Sequence, residues 1–209
     1  IIETALKEQH DLIIQASHVT SSLQNLLFTP TDWHLLRKAP CAVLMVKEHA
    51  WPQHGQIIAA VHSGSEEAHH ESLNTRIVEH AEAMSHILNA SVHLVNAYPG
   101  APVNVAVEIP EFDVTQYTEE LQTHHQNKMR ELGRRFNIPE PQQHVAQGLP
   151  EQVIPEFSEK LDAELVVMGT IGRTGITAAL LGNTAEHVLE QLNCDVLAVK
   201  PEDFVSPLA

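Results

Sequence analysis

Residues 168–184, M-G-T-I-G-R-T-G-I-T-A-A-L-L-G-N-T, carry Gly169, Gly172 and Gly182 with two and then nine residues between them. An apolar run, Leu165-Val166-Val167-Met168, stops at the first of these glycines, and A-E-H-V-L-E-Q-L after Thr184 reads as a helix. Strand, glycine loop and helix start in that order aim backbone N–H groups and a helix N-terminus at one point, where a phosphate or other anion can sit. The same glycines could instead serve only a tight turn from Met168 into the helix.

No other group of residues assembles a reaction. Ser63 follows His62, but sequence neighbours do not make a nucleophile–base pair, and no acid is placed to orient the histidine. No Walker lysine follows the glycines. The chain is therefore read as a binder and not as an enzyme. Its 15 histidines include the pairs His69-His70 and His124-His125. Adjacent residues on a helix diverge by about 100°, so neither pair is an i, i+4 zinc clamp. They are read as surface histidines, and no metal is expected. Asp and Glu are read as solvated charge on helical faces.

Lys and Arg count 12 against 27 Asp and Glu, a net charge of −15. A field of that sign repels polyanions, which excludes DNA and RNA as partners. No apolar run approaches the roughly 20 residues that cross a bilayer, and no secretion signal is visible. Cys41 and Cys194 each border a β-like run and are read as buried thiols of a reducing cytoplasm. A hydrophobic content of 43% supports an ordinary core.

The elements that must position the glycines follow from periodicity. Short apolar runs at 56–61, 92–97, 144–146, 165–168 and 196–199 read as strands. The helical stripes between them cover 66–88, 119–136, 150–161 and 185–192. Alternation of this kind predicts an α/β fold, a five-stranded parallel open sheet with helices on both faces. In such sheets ligands sit beyond the carboxyl ends of the strands, where the glycine loop also lies. A second signal is internal. Shifted by 153 residues, the separation of Cys41 and Cys194, the start of the chain falls on its end without gaps. Asp11-Leu12-Ile13-Ile14 meets Glu164-Leu165-Val166-Val167, and C-A-V-L-M-V-K meets C-D-V-L-A-V-K. Residues 1–48 read as the last part of a first domain, 49–55 as a linker, 56–201 as a complete copy of that domain and 202–209 as a tail. In the partial copy Ala16, Val19 and Thr29 replace the three glycines and Pro30 replaces Asn183, so no phosphate site is expected there.

The spacing of Gly169, Gly172 and Gly182 resembles the nucleotide motif of the universal stress protein family. So do P-E-F-D after Ile109, G-L-P-E-Q-V-I-P from Gly148 and L-G-N-T-A-E from Leu181. The resemblance covers the whole chain and is to the kind that carries two such domains in tandem. It implies a Rossmann-like fold of the adenine-nucleotide alpha-hydrolase type and a cytoplasmic stress-response role. It also implies ATP or another nucleotide as ligand. Carried over by residue, Gly169, Thr170, Gly172 and Gly182 line the phosphate track, Arg173 supplies countercharge, and Asn183 and Thr184 cap the final helix. Val95 lies where the family's main chain meets the adenine. Two positions depart from the pattern. Asn183 stands where the family has Ser or Thr, and His62 where it commonly has a nucleoside-contacting Asp.

Three functions stay open on these residues: a nucleotide-type binder, an interaction or scaffold protein whose loop has lost its nucleotide, and a binder of a nucleotide-linked lipid or other partly apolar ligand. The uncharged run Y-P-G-A-P-V-N-V-A-V from Tyr98 carries the third, as a pocket wall. It equally suits a lid over its own domain or an interdomain contact. The resemblance further implies that the last strands of two such domains pair, 43–46 beside 196–199. A part-domain at 1–48 leaves an open sheet edge, so self-association through the last strands and residues 1–48 is expected. Sedimentation velocity at tens of micromolar checks it: a dimer or larger species is the expected result, and a monomer counts against it.

Overall fold

The computed structural model describes residues 1–16, 28–47, 49–65, 67–100, 113–170 and 182–209. The order is α1 (Ile2–Lys7), β1 (Leu12–Ala16), α2 (Pro30–Lys38), β2 (Ala42–Val46), β3 (Gln56–Ala60), α3 (Ala68–Leu88) and β4 (Ser91–Tyr98). After these come α4 (Val114–Arg135), a 3-10 turn at Glu140–Gln142, β5 (Gln143–Gln147), α5 (Pro150–Lys160), β6 (Ala163–Gly169), α6 (Asn183–Gln191) and β7 (Asp195–Val199). All strands join one seven-stranded sheet in the order β1-β2-β7-β6-β3-β4-β5. Neighbours are parallel except β2 and β7, which run antiparallel with Val43, Leu44 and Met45 opposite Ala198, Leu197 and Val196. The sheet is thus wider than the five strands expected, because β2 joins edge to edge with β7 and brings β1 with it. The pairing uses β2 and β7 within one chain and leaves β1, with Ile14 65% exposed, at the sheet's edge.

Period-2 alternation sends apolar side chains to two separate cores. Ile58, Val166, Met168, Val196, Ala198, Val43 and Met45 face α1, α2, α5 and α6. Ile57, Ala59, Leu165, Val167, Leu197 and Leu44 face Leu73, Ile77, Val78 and Ala81 of α3 and Met129 of α4. Full burial of such side chains stabilises by about 1.5–3 kcal/mol each. Local chemistry sets the helix ends. Asp113 accepts from the N–H groups of Thr115 and Gln116, so α4 starts five residues before its apolar stripe. Thr29 and Asp32 form a reciprocal capping box on α2. Asn89, with φ of 51°, ends α3 in the left-handed conformation. Under the 153-residue shift, the bounds of α2 fall on those of α6 and the bounds of β2 on those of β7.

Three expectations need correcting. Acidic residues are not all solvated: Asp32 and Asp195 are buried. Nor are all the paired histidines on the surface. His125 is buried under the β3–α3 turn, and His69 and His70 are half-buried. Of the two thiols only Cys194 is buried, and that burial pushes it up to about 12, leaving it a protonated, unreactive side chain. Asp195 also explains the segment between β2 and β3. One carboxylate oxygen accepts from the Lys47 N–H at 2.8 Å and lies 3.0 Å from His49 Nε2; the other accepts from Trp51 Nε1 at 3.0 Å. His49 Nδ1 lies 3.4 Å from Glu164. The stretch read as a plain linker is pinned to the start of β7.

Replacing Asp195 with Ala strands the Lys47 and Trp51 donors. We expect Asp195→Ala to lower the urea unfolding free energy by about 2–4 kcal/mol, with Asp195→Asn milder. Equal stability of Asp195→Ala and the parent would show that the clamp contributes nothing.

Candidate functional site

The carboxyl ends of β3, β4 and β6 lie side by side, with Ala60 in register with Val95 on one side and Met168 on the other. The turn leaving β3 carries His62, Ser63 and Gly64 and is held by polar side chains from three elements. Asn74 of α3 accepts from the His62 N–H at 2.8 Å and donates to the His62 carbonyl at 3.0 Å. Asn96 of β4, fully buried, accepts from the Ser63 N–H at 3.0 Å, and its amide donates to His125 Nδ1 at 3.0 Å. His124 Nε2 of α4 lies 3.1 Å from the Gly64 carbonyl. The His125 ring lies over Gly64, where an added Cβ would come within 2.0 Å of it, so this position accepts only glycine. Tyr98 stacks on that ring with centroids 5.2 Å apart.

The turn leaving β6 starts beside it. Thr170 is buried. Its N–H donates to the Val199 carbonyl at 3.3 Å, and its carbonyl accepts from the Gly182 N–H at 3.2 Å. The two ends of the glycine segment therefore meet. Gly182 is the N-cap of α6 and is exposed, and among the described residues no side chain caps the helix and a Cβ at Gly182 would meet nothing within 4 Å. Gly169 is different: its missing Cβ leaves room for Leu73 of α3, 2.6 Å from where it would stand. One glycine serves packing and the other keeps a helix N-terminus open.

Of the residues expected at the site, Gly169, Thr170, Gly182, Asn183, Thr184 and His62 are brought to these strand ends. Asn183 and Thr184 are exposed first-turn residues of α6 and do not cap it; Gly182 holds that place because the helix starts at Asn183. Val95 is 1% exposed in the core, and its carbonyl accepts from the Val61 N–H at 3.0 Å, so it presents no side chain to the crevice. Gly172, Arg173 and the run 101–107 lie outside the described residues, as does Val19 of the partial copy.

Sequence reasoning missed Asn74, Asn96, His125 and Lys200. Asn96 stands between the apolar Val95 and Ala97 of its strand and Asn74 in an apolar helix stripe, the one signal that either carries a polar task. Burial holds His62 below the ordinary histidine value, with Glu67 pulling it back, and holds His125 down together with the neighbouring charges of His124 and His62. These rings are uncharged at neutral pH. Lys200, just after β7, is buried beside Thr170. Its ammonium donates to Thr170 Oγ1 at 3.2 Å and to the Leu36 carbonyl, and lies over the Phe204 ring. Burial pushes it down to about 7.

Among the described residues no helix is long and apolar enough to cross a membrane. A family model described as the universal stress protein family matches residues 1–47 and 58–200. The chain is similar to universal stress protein E of Escherichia coli K12, 46% identical over all 209 residues, and to that of Salmonella typhi at 45%. It spans 66% of the length of each. A crystal structure of a functionally unknown protein from Pseudomonas aeruginosa PAO1 is 35% identical, with a TM-score of 0.80 over 97% of this chain and 67% of that one. A universal stress protein from Archaeoglobus fulgidus, 16% identical, shares the fold with a TM-score of 0.63, over 95% of this chain and 65% of that one.

Lys200 makes stability depend on pH with a definite sign. Its folded value is below the unfolded one, so between about pH 7 and pH 10.4 the unfolded chain binds more protons and stability from this group rises with pH. We expect urea midpoints to favour Lys200→Met most at pH 6.5 and to shift towards the parent by pH 9.5. A pH-independent difference would mean that Lys200 titrates normally.

Proposed function

The chain belongs to the universal stress protein family, and we propose that it serves a stress-response role by binding a phosphate-bearing small ligand, a nucleotide such as ATP first among them. The site is the crevice between the turn after β3 and the N-terminus of α6. The observation that carries this reading is the Thr170–Gly182 closure. It brings an uncapped helix N-terminus, bare of Cβ, to the carboxyl end of a parallel strand. Backbone N–H groups at such an end hold an anion without any lysine. Gly172 and Arg173 belong to the same segment and complete the phosphate track in this reading. Binding alone is proposed, without turnover, in the cytoplasm.

The same reading treats residues 1–48 as the last part of a first domain and 56–201 as a complete second one. The coincidence of α2 with α6 and of β2 with β7 under one shift supports it, as does the family match in two stretches. Self-association then falls to β1, since β2 and β7 already pair. A second reading, an interaction protein without nucleotide, is favoured by Asn183 and His62. Neither offers the hydroxyl or carboxylate of the family pattern, and the His62 backbone is fully engaged by Asn74.

Gly182 separates the two readings, because among the described residues nothing would meet a side chain there. Titration calorimetry of the full chain with ATP, ADP and a UDP-sugar is expected to give saturable heat with at least one. Gly182→Val should weaken it by on the order of tenfold or more while costing about 1 kcal/mol or less in helix capping. Gly172→Val should do the same. No heat with any of these ligands supports the interaction protein.

A further inference from the structure

Glu67, the residue before α3, and His69 and His70 of its first turn bring one carboxylate oxygen and two ring nitrogens within 4.8 Å of one another. Among the described residues they are the group of three possible ligands that does so. Glu67 Oε2 lies 3.3 Å from His69 Nε2 and 3.8 Å from His70 Nε2. A four-coordinate zinc ion with bonds of about 2.0–2.1 Å spaces its ligands by roughly 3.3 Å. The Glu67–His69 pair is already at that spacing, and the Glu67–His70 pair is about half an ångström wider. We propose that Glu67, His69 and His70 form a three-ligand site for a borderline divalent transition-metal ion, Zn²⁺ before Ni²⁺ or Cu²⁺.

The 100° rule that separates neighbouring helix residues fails here for a physical reason. Side chains lean towards a helix's N-terminus, so rings in the first turn project past the helix end and can converge there. The two imidazole rings lie 4.2 Å apart, tilted by 37°. Glu67 occupies the N-cap position but makes no side-chain capping bond; its carboxylate faces the rings instead. The His62 ring meets His70 edge to face at 4.8 Å and restricts its orientation, while Asn74 holds the His62 backbone. Two imidazoles and one carboxylate suit zinc, nickel and copper, whereas magnesium and calcium require oxygen throughout. The positive end of the α3 dipole opposes a cation, and the Glu67 charge offsets it.

Three protein ligands leave one tetrahedral position open to water or to another donor. Leu73, one turn further along the same face of α3, packs against Gly169 at the end of β6, so the ion would lie beside the crevice. The site does not depend on a nucleotide binding there.

The test uses the full chain without an affinity tag, dialysed against chelator and titrated with Co²⁺ by visible absorption, then with Zn²⁺ in competition. One ion per chain with tetrahedral cobalt bands is the expected result. His69→Ala and His70→Ala should each weaken binding by on the order of tenfold or more, and Glu67→Gln by less. The metal-free variants should melt like the parent, since none of these side chains caps the helix. The absence of saturable binding up to about 1 mM overturns the site. So does a His69→Ala/His70→Ala double variant of unchanged affinity, which would place the ion among the other histidines.

Discussion

The antiparallel pairing of β2 with β7 is the contact on which the rest of this structure depends. Each strand is otherwise the outer member of a set of parallel strands, β1-β2 on one side and β7-β6-β3-β4-β5 on the other. Parallel sheets need cover on both faces, and an uncovered edge is a liability. Joining the two edges gives Val196, Leu197 and Ala198 of β7 a strand neighbour on both sides, and all five residues of β7 are buried. It also places Asp195, a carboxylate that cannot be left unpaired at that depth, where the chain leaves β2. The Lys47 N–H and the side chains of His49 and Trp51 satisfy it, so the connection between the two strand sets is fixed by hydrogen bonds as well as by covalent continuity.

The same sheet creates the crevice. Parallel strands in register end together, so the turns after β3 and β6 emerge as neighbours, and their exposed backbone must be satisfied by something other than the ladder. Asn74, Asn96 and His124 do this for the β3 turn, with His125 holding Asn96 in place. Thr170, Val199 and Gly182 do it for the ends of the glycine segment. The result is a hydrogen-bonded pair of turns beside a helix end that no side chain caps among the described residues. Preorganisation of that kind favours binding, because the protein loses little freedom when a ligand arrives.

Much of this was legible in the residues. The alternation of apolar runs with 3.6-period stripes marks the strands and helices from β3 to β7 within about five residues, because burial on two faces requires it. The errors fall where side chains and not periodicity decide: α4 begins at Val114 because Asp113 caps it, and α6 at Asn183 because Gly182 holds the cap position. The glycine segment was legible as a strand–loop–helix junction, but the division of labour between Gly169 and Gly182 was not. Leu73, which needs the space at Gly169, lies 96 positions earlier in the chain.

The sequence by itself determined the α/β alternation, the internal repeat and the place of the glycine segment, since these follow from local periodicity and local spacing. The pairing of β2 with β7 was implied by the family resemblance; only the tertiary structure decided that it makes one seven-stranded sheet, that Asp195 and His125 are buried while Val95 is withdrawn into the core, and that Glu67, His69 and His70 converge. The physical reason is common to all of these. Burial and convergence are set by which distant element covers a position, and that partner is chosen by packing over the whole sheet, not by neighbours along the chain.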